Sequence, residues 1–439
     1  MAKQVNFDSL IESLHTAIDN FPDKRTGKNK KYTMRDIALG AFSVFFTQSP
    51  SFLAHQTLMR EERGESNAET LFDIKEIPSD NHIRNSLDEV EPRLLFSVFD
   101  AALAALKVSG RLDSYRSYGG NLPLALDGTW YLSSQSIRCD QCSTKNHNNG
   151  STTYYHSAIT PVIVSPTKDK VISLPPEFIV PQDGHSKQDC ETAAGKRWVE
   201  HSGPKYAPLG VTILGDDLYS RQPFCSLLLK TGFHFILVCK PDSHKTLYEW
   251  IDLLEPEKDK FTVIQRKKNG KSWNTYTYRY ANNVPLRDTD DALRINWCEL
   301  TVTNEDGAVL FRNAFATDYK ISAKNVVEIV ADGRARWKIE NENNNTLKTK
   351  GYNLEHNYGH GKKNLAFLLM TLNVLAFLFH TLLEIFDKKY RLLRQKLPTR
   401  KTFFEHIRAL TCYLCFKNWN GMLEFMLAGL KKKHRLNPG

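Results

Sequence analysis

The chain has 439 residues, 41% of them hydrophobic and 25% charged, enough for about two to four domains and a sizeable buried core. That balance fits a globular protein, and no internal repeat or low-complexity segment interrupts it. The formal charge of +10 is concentrated: residues 388–439 carry 13 Lys and Arg against two acids, Glu405 and Glu424, which leaves the rest of the chain near neutral. A basic tail on a neutral body points to a polyanionic partner, nucleic acid first, with a solubilising tail as the plain alternative.

The start, MAKQVNFDSLIESLHTAIDN, reads as an amphipathic helix with acids through it and without the basic start and apolar block of a signal peptide. Eight cysteines scattered through a large chain suggest reduced thiols, so a cytoplasmic location is expected. Residues 1–115 form a predicted helical domain for DNA binding or assembly, with helices over 8–20, 34–46 and 90–108. From Asn121 the texture changes. NLPLALDGTWYL, TTYYHSAITPVIV and DKVISLPPEFIV are β-branched and aromatic runs broken by Gly, Pro and Asn, which predicts three consecutive antiparallel strands. A helix over 188–201, a strand GVTILGDD, a helix over 220–231 and a strand FHFILVCK follow, adding strands in parallel.

Three strands and then helix–strand–helix–strand is the order of a ribonuclease-H-like fold: α/β, with a mixed five-stranded sheet flanked by helices. Residues 116–240 supply its first part and 314–390 its second, with a β-rich insertion over 241–313 and a basic helical C-terminal region over 391–439. Residues 365–379 are apolar but include Thr371 and Asn373, with His380 and Glu384 behind them. This run is shorter than the roughly 20 residues of a membrane span and is expected to be a core helix, with no membrane partner.

Asp127 closes the apolar run LALDG, and Asp216 closes ILGDD. An acid that ends a buried run is costly unless it is paired, hydrogen-bonded or bound to metal, and ligands of open α/β sheets sit at the carboxyl ends of strands. One such acid is commonly a turn residue or helix cap; two on different strands favour a metal site. A third comes from the helical ARWKIENENNNTLKTKG. Arg336 and Glu340 share a helix face, whereas Glu342 points about 200° away, so only one of the two acids can join the cluster. Glu340 is the choice, beside Arg336 and flanked by Trp337 and Ile339. A solvated Arg–Glu pair worth about 0.3–0.5 kcal/mol is the plain alternative. Three carboxylates suit two Mg²⁺ ions bridged by a phosphate.

The order LALDGTWYL, ILGDDLYS, β-rich stretch, RWKIENENNNTLK, followed by GYNLEHNYGHG, resembles the DDE transposases of bacterial insertion sequences, closest to the insertion sequence family four group and its unclassified relatives. The resemblance covers about 121–384. It implies a transposase that cleaves DNA at transposon ends and transfers strands into target DNA, with Asp127, Asp216 and Glu340 as catalytic residues and ligands of two Mg²⁺ ions (Mn²⁺ able to substitute). It also implies double-stranded DNA, both transposon ends and target, as partner and a homodimer on that DNA. Of the family's Tyr-Arg-Glu-Lys signature, Arg336 and Glu340 match. Gly333 stands at the Tyr position and Leu347 at the Lys position, with Lys348 one residue late. Asp216 to Tyr219 fits the family's Asp-x-x-Tyr form better than Asp217 does. Arg336 and Lys348 would contact DNA phosphates, and Trp273 and Trp297 would stack on an unpaired base or pack in the core. An inactivated or domesticated DNA-binding relative, or a nuclease of the same fold without strand transfer, are the alternatives.

Other clusters compete for attention. Cys139, Cys142, His147 and His156 can supply four ligands to zinc, or the cysteines can be thiols in a polar loop. Cys412 and Cys415, without nearby histidines, are expected to pack as small hydrophobes. His356 and His360 are i, i+4, but the glycines beside them favour phosphate contact or loop structure over metal. HSKQDCETAAGKRW mixes charges as a solvated helix does, and no catalytic role falls to His185, Lys187 or Asp189. A phosphate-cradling Gly-x-x-x-x-Gly-Lys is lacking, which argues against ATP-driven chemistry.

Overall fold

The computed structural model describes residues 5–26, 30–59, 66–181, 190–270 and 272–431. Six helices come first: α1 (Phe7–Ile18), α2 (Met34–Phe46), α3 (Phe52–Met59), α4 (Asn67–Phe72), α5 (Asp80–Leu87) and α6 (Phe96–Val108). Reciprocal capping by Asn6 with Ser9 and by Thr33 with Asp36 starts α1 and α2. The helix expected from Val90 begins at Phe96, because Pro92 opens a separate 3₁₀ turn over Pro92–Leu95.

The three β runs each divide in two. They give β1 (Leu122–Ala125) and β2 (Gly128–Ser134), then, after a separate short strand β3 (Ser143–Asn146), β4 (Thr152–Ile159) and β5 (Val162–Ile163), then β6 (Ile172–Ser173) and β7 (Glu177–Ile179). Pro161 parts β4 from β5, and Pro175–Pro176 part β6 from β7, since proline has no N–H for the ladder. Asp127 lies in the break between β1 and β2. The first half of one run and its counterparts, β1, β5 and β6, join the main sheet, while β2, β3, β4 and β7 build a second, four-stranded one.

The chain continues as α7 (Glu191–Tyr206), β8 (Val211–Gly215), α8 (Gln222–Thr231), β9 (His234–Val238), α9 (Lys245–Leu253), β10 (Lys260–Asn269), β11 (Ser272–Pro285), β12 (Arg294–Thr303) and β13 (Val309–Thr317). The main sheet has nine strands in the order β10-β11-β12-β13-β9-β8-β1-β5-β6. β1, β8 and β9 run parallel, and every other pairing is antiparallel. A mixed α/β sheet with helices was expected, but this one is wider than five strands. β13 hydrogen-bonds to β9, so the β-rich stretch extends the main sheet.

Helices return with α10 (Val326–Ala335), a π-helical turn (Ile339–Asn344), α11 (Asn345–Thr349), α12 (Leu365–Phe386), α13 (Lys388–Lys396), α14 (Arg400–Tyr413) and α15 (Trp419–Lys431). α12 is long and apolar enough to cross a membrane, but its apolar window is wholly buried, packed on α2, α5, α6, α13 and β6. Its polar residues all find partners. Asn373 Nδ2 donates to Tyr352 O at 2.9 Å, and His380 Nδ1 meets the Tyr352 hydroxyl at 2.6 Å. Glu384, 4% exposed, accepts from Arg394 Nε at 3.1 Å and pairs with Arg400 and Lys170. Arg400 also donates to the Tyr352 hydroxyl, and Arg408 to the carbonyls of Thr47 and Gln48. Part of the basic C-terminal charge therefore holds this region against the rest of the fold. Removing one partner of a buried ion pair strands the others in low dielectric. Glu384→Ala should lower stability by about 3–5 kcal/mol in denaturant unfolding, whereas Lys170→Ala, at a half-exposed position, should cost less than about 1 kcal/mol.

Candidate functional site

The pairing of β1 with β8 positions two acids. The parallel register runs from Leu122 opposite Val211 to Ala125 opposite Leu214, and Leu126 N–H donates to Leu214 O at 2.9 Å. Asp127 and Asp216 therefore stand at the same level, each two residues beyond the last pair. Adjacent strands lie about 5 Å apart, so these two carboxylates leave the sheet side by side at its carboxyl edge. Asp217 is otherwise engaged: it accepts from Lys240 N–H at 2.6 Å and from the Ser243 hydroxyl, and lies 3.6 Å from His244 Nε2. It braces the turn after β9, which leaves Asp216 to face Asp127.

Glu340 arrives on the π-helical turn, a form that inserts an extra residue into a helix and recurs at functional sites. Arg336 Nη2 holds Glu340 Oε1 at 2.6 Å, and the Glu340 charge reaches Asp127. The Glu342 charge acts instead on Lys338, whose ammonium donates to the carbonyls of Pro166 and Lys168. Two asparagines fasten the turn to the sheet. Asn344 Nδ2 donates to Asp127 Oδ2 at 3.0 Å, while its Oδ1 accepts from Thr160 Oγ1 at 2.7 Å and from Asn343 Nδ2 at 2.9 Å. Ser173 Oγ then donates to Asn343 Oδ1 at 3.1 Å. Asn343 is fully buried, so these bonds are made without competing water.

A fourth acid, Glu191, was hidden in the segment whose mixed charges read as a solvated face. It opens α7, and its Oε1 accepts from Gly128 N–H at 3.0 Å and from the Tyr219 hydroxyl at 2.9 Å. A side chain at position 128 would collide with this carboxylate, which explains the glycine after Asp127. His185, Lys187 and Asp189, and the start of the predicted helix over 188–201, lie outside the described residues.

Burial, then the charge of Glu191, push the Asp127 carboxyl up from 3.8 to about 7; Glu340 and Asp216 add to this and Arg336 opposes it. Burial raises Glu191 as well, with Asp216 adding and the Tyr219 bond opposing. Four carboxylates and one guanidinium thus act on one another at the carboxyl edge of two parallel strands. The donors are oxygens only, the set that hard divalent cations take, and such an ion would relieve the mutual repulsion.

Other predicted residues are more dispersed. Lys348 pairs with Glu355 at 2.9 Å. Leu347 is fully buried, and any Cβ at Gly333 would lie 2.7 Å from the Phe315 ring and 2.9 Å from Ile236, so neither position has room for a Lys or a Tyr. Trp297 is a core residue, edge-on to Tyr248, whereas Trp273 is exposed near the tip of the β10–β11 hairpin with Arg266 over its ring. Cys412 and Cys415, expected to pack inside, are exposed at the end of α14, because that helix buries Phe403, Phe404, Ile407 and Thr411 instead. Cys139, Cys142 and His156 come together. His147 does not join them; it meets the Thr153 hydroxyl at 2.8 Å in an exposed turn. His360 takes the fourth place.

No family model matches the chain, and no curated protein matches it. Among solved structures it is similar to the piggyBac transposase in a cryo-EM synaptic complex with hairpin DNA, with 10% identity, 97% of this chain and 79% of that chain covered, and a TM-score of 0.38. At that score the likeness decides neither family nor activity.

Asp127 makes the site sensitive to pH. Its folded form keeps a proton up to about pH 7, whereas an ordinary carboxyl loses it near 3.8. The folded state therefore binds more protons in that window, and its stability falls as pH rises through it, by on the order of a few kcal/mol. In Mg²⁺-free buffer, Asp127→Asn should raise the melting temperature at pH 8 and flatten its dependence between pH 5 and 8. An unchanged pH profile in the variant would remove Asp127 as the source.

Proposed function

We propose that this chain is a DDE-type DNA transposase, cleaving DNA at transposon ends and joining the freed ends to target DNA. The observation that carries this reading is the shared register of Asp127 and Asp216 on adjacent parallel strands, with Glu340 brought to the same edge by a helix from more than a hundred residues downstream. We read β6-β5-β1-β8-β9 as a ribonuclease-H-like core, its two antiparallel and two parallel pairings supporting that assignment.

In this reading Asp127, Asp216 and Glu340 would hold two Mg²⁺ ions. When bound, these ions activate the attacking oxygen and stabilise the leaving one in phosphoryl transfer. Asn344 aims the Asp127 carboxylate, and Arg336 aims Glu340 while keeping a cation beside the position of the scissile phosphate. Glu191, tied to Gly128 and Tyr219, adds negative charge that strengthens cation binding without needing to leave its own partners. Lys348 would exchange Glu355 for a DNA phosphate. The β10–β11 hairpin presents Arg266, Lys267 and Lys268 with exposed Trp273, the combination of cations and an aromatic face that suits nucleic acid. A homodimer on DNA and a cytoplasmic setting belong to the same proposal.

The decisive experiment supplies DNA carrying the sequences that flank the gene, together with target DNA and Mg²⁺, and looks for cleaved and joined products. Asp127→Asn, Asp216→Asn and Glu340→Gln should each lower cleavage by on the order of 10²–10³-fold or more while sparing DNA binding, and Glu342→Gln should leave cleavage near wild type. Wild-type cleavage by any of the first three would remove that residue from the site. DNA binding with no turnover in Mg²⁺ or Mn²⁺ would overturn the enzymatic reading, and cleavage without joined products would reduce it to a nuclease.

A further inference from the structure

We propose that Cys139, Cys142, His156 and His360 form a tetrahedral zinc site that locks the β2–β4 hairpin to the segment leading into α12. The four ligand atoms lie within 4.8 Å of one another. Cys139 Sγ and Cys142 Sγ are 3.9 Å apart. His156 Nε2 is 3.5 Å from each sulfur. His360 Nε2 is 3.3 Å from Cys142 Sγ and 3.2 Å from His156 Nε2. With Zn–S of about 2.3 Å and Zn–N of about 2.0–2.1 Å, a tetrahedron has edges of about 3.8 Å between sulfurs, 3.5 Å between sulfur and nitrogen, and 3.3 Å between nitrogens. The observed edges follow that sequence. A sulfur–sulfur separation of 3.9 Å is also far too long for a disulfide, about 2.05 Å.

The surroundings prepare the ligands. His360 Nδ1 donates to its neighbour's carbonyl, Gly361 O, at 3.0 Å, which leaves the Nε2 lone pair directed at the cluster. Cys139 N–H points to Cys142 Sγ at 3.4 Å, and Cys142 N–H donates to Cys139 O at 3.1 Å, so the Cys-x-x-Cys turn presents both sulfurs on one side. His156 is buried on β4, stacked against Tyr131 and edge-on to Phe367 of α12. Two imidazole nitrogens and two thiols converging on one point without a cation would set lone pair against lone pair; a soft dication accepts all four.

His360 is 204 positions from His156, so the ion would close a long loop and join a polar hairpin to GYNLEHNYGHG, the segment after the Glu340 turn. This site does not depend on the carboxylate chemistry, and Asp127→Asn should leave it intact.

The test is metal content and ligand spectroscopy on the full-length protein purified without chelator. Elemental analysis should find about one zinc per chain. Exchange for Co²⁺ should give the visible absorption of a tetrahedral ion with two thiolates. Cys142→Ser and His360→Ala should lose the zinc, His147→Ala and Cys412→Ser should keep it, and His360→Cys should retain the ion with stronger sulfur-to-cobalt charge transfer. Wild-type protein that carries no zinc and gives no cobalt spectrum would overturn the proposal, whatever the variants do. Zinc kept by His360→Ala but lost by His147→Ala would overturn the ligand set.

Discussion

The parallel pairing of β1 with β8 is the constraint on which the candidate site rests. Because the register is fixed from Leu122 to Ala125 by buried apolar side chains, Asp127 and Asp216 cannot drift apart without unpacking the centre of the sheet. A slip of either strand by one residue would turn its acid to the opposite face of the sheet, away from the other. The sheet centre therefore tolerates the repulsion of carboxylates at its edge, and the energy of the apolar strands stabilises an arrangement that the acids alone would oppose. Asn344 completes it, since one amide reaches Asp127 and two further polar groups at once.

Much of this was legible in the residues. Runs such as GVTILGDD and FHFILVCK became strands near their expected limits, because a short apolar run bounded by turn residues has few other ways to be buried. The burial of α12 followed from the same kind of evidence: its polar side chains sit where Tyr352, Arg394 and Arg400 can reach them. What the sequence concealed was pairing between distant segments. The long β-run strands were read whole, yet each is parted by a proline pair, a proline or an aspartate and serves two sheets. Glu191 and His360 lay in stretches whose local texture was charged or glycine-rich, and only their partners, Gly128 and Tyr219 in one case and Cys142 and His156 in the other, reveal what they do.

Charge counting also needed the fold. The cationic C-terminal region suggested a surface for polyanions, but Arg394, Arg400 and Arg408 spend their charge or their donors on Glu384, Tyr352 and backbone carbonyls. By contrast the β10–β11 hairpin, unremarked for charge in the sequence, carries its cations on an exposed ladder at the far edge of the main sheet. Net charge describes a chain; which cations remain available is a property of its packing.

The bond between Asn344 and Asp127 joins positions 217 apart in the chain. During synthesis, β1 and β8 leave the ribosome long before the turn that carries Glu340, with the whole β10–β13 ladder still to be made. Contacts of such separation form late and slowly, because the intervening chain must first be ordered. A half-made chain consequently holds two of its three central acids in place and lacks the helix that aims the third. The order of the elements keeps the carboxylate cluster unassembled until nearly all the protein that surrounds it exists.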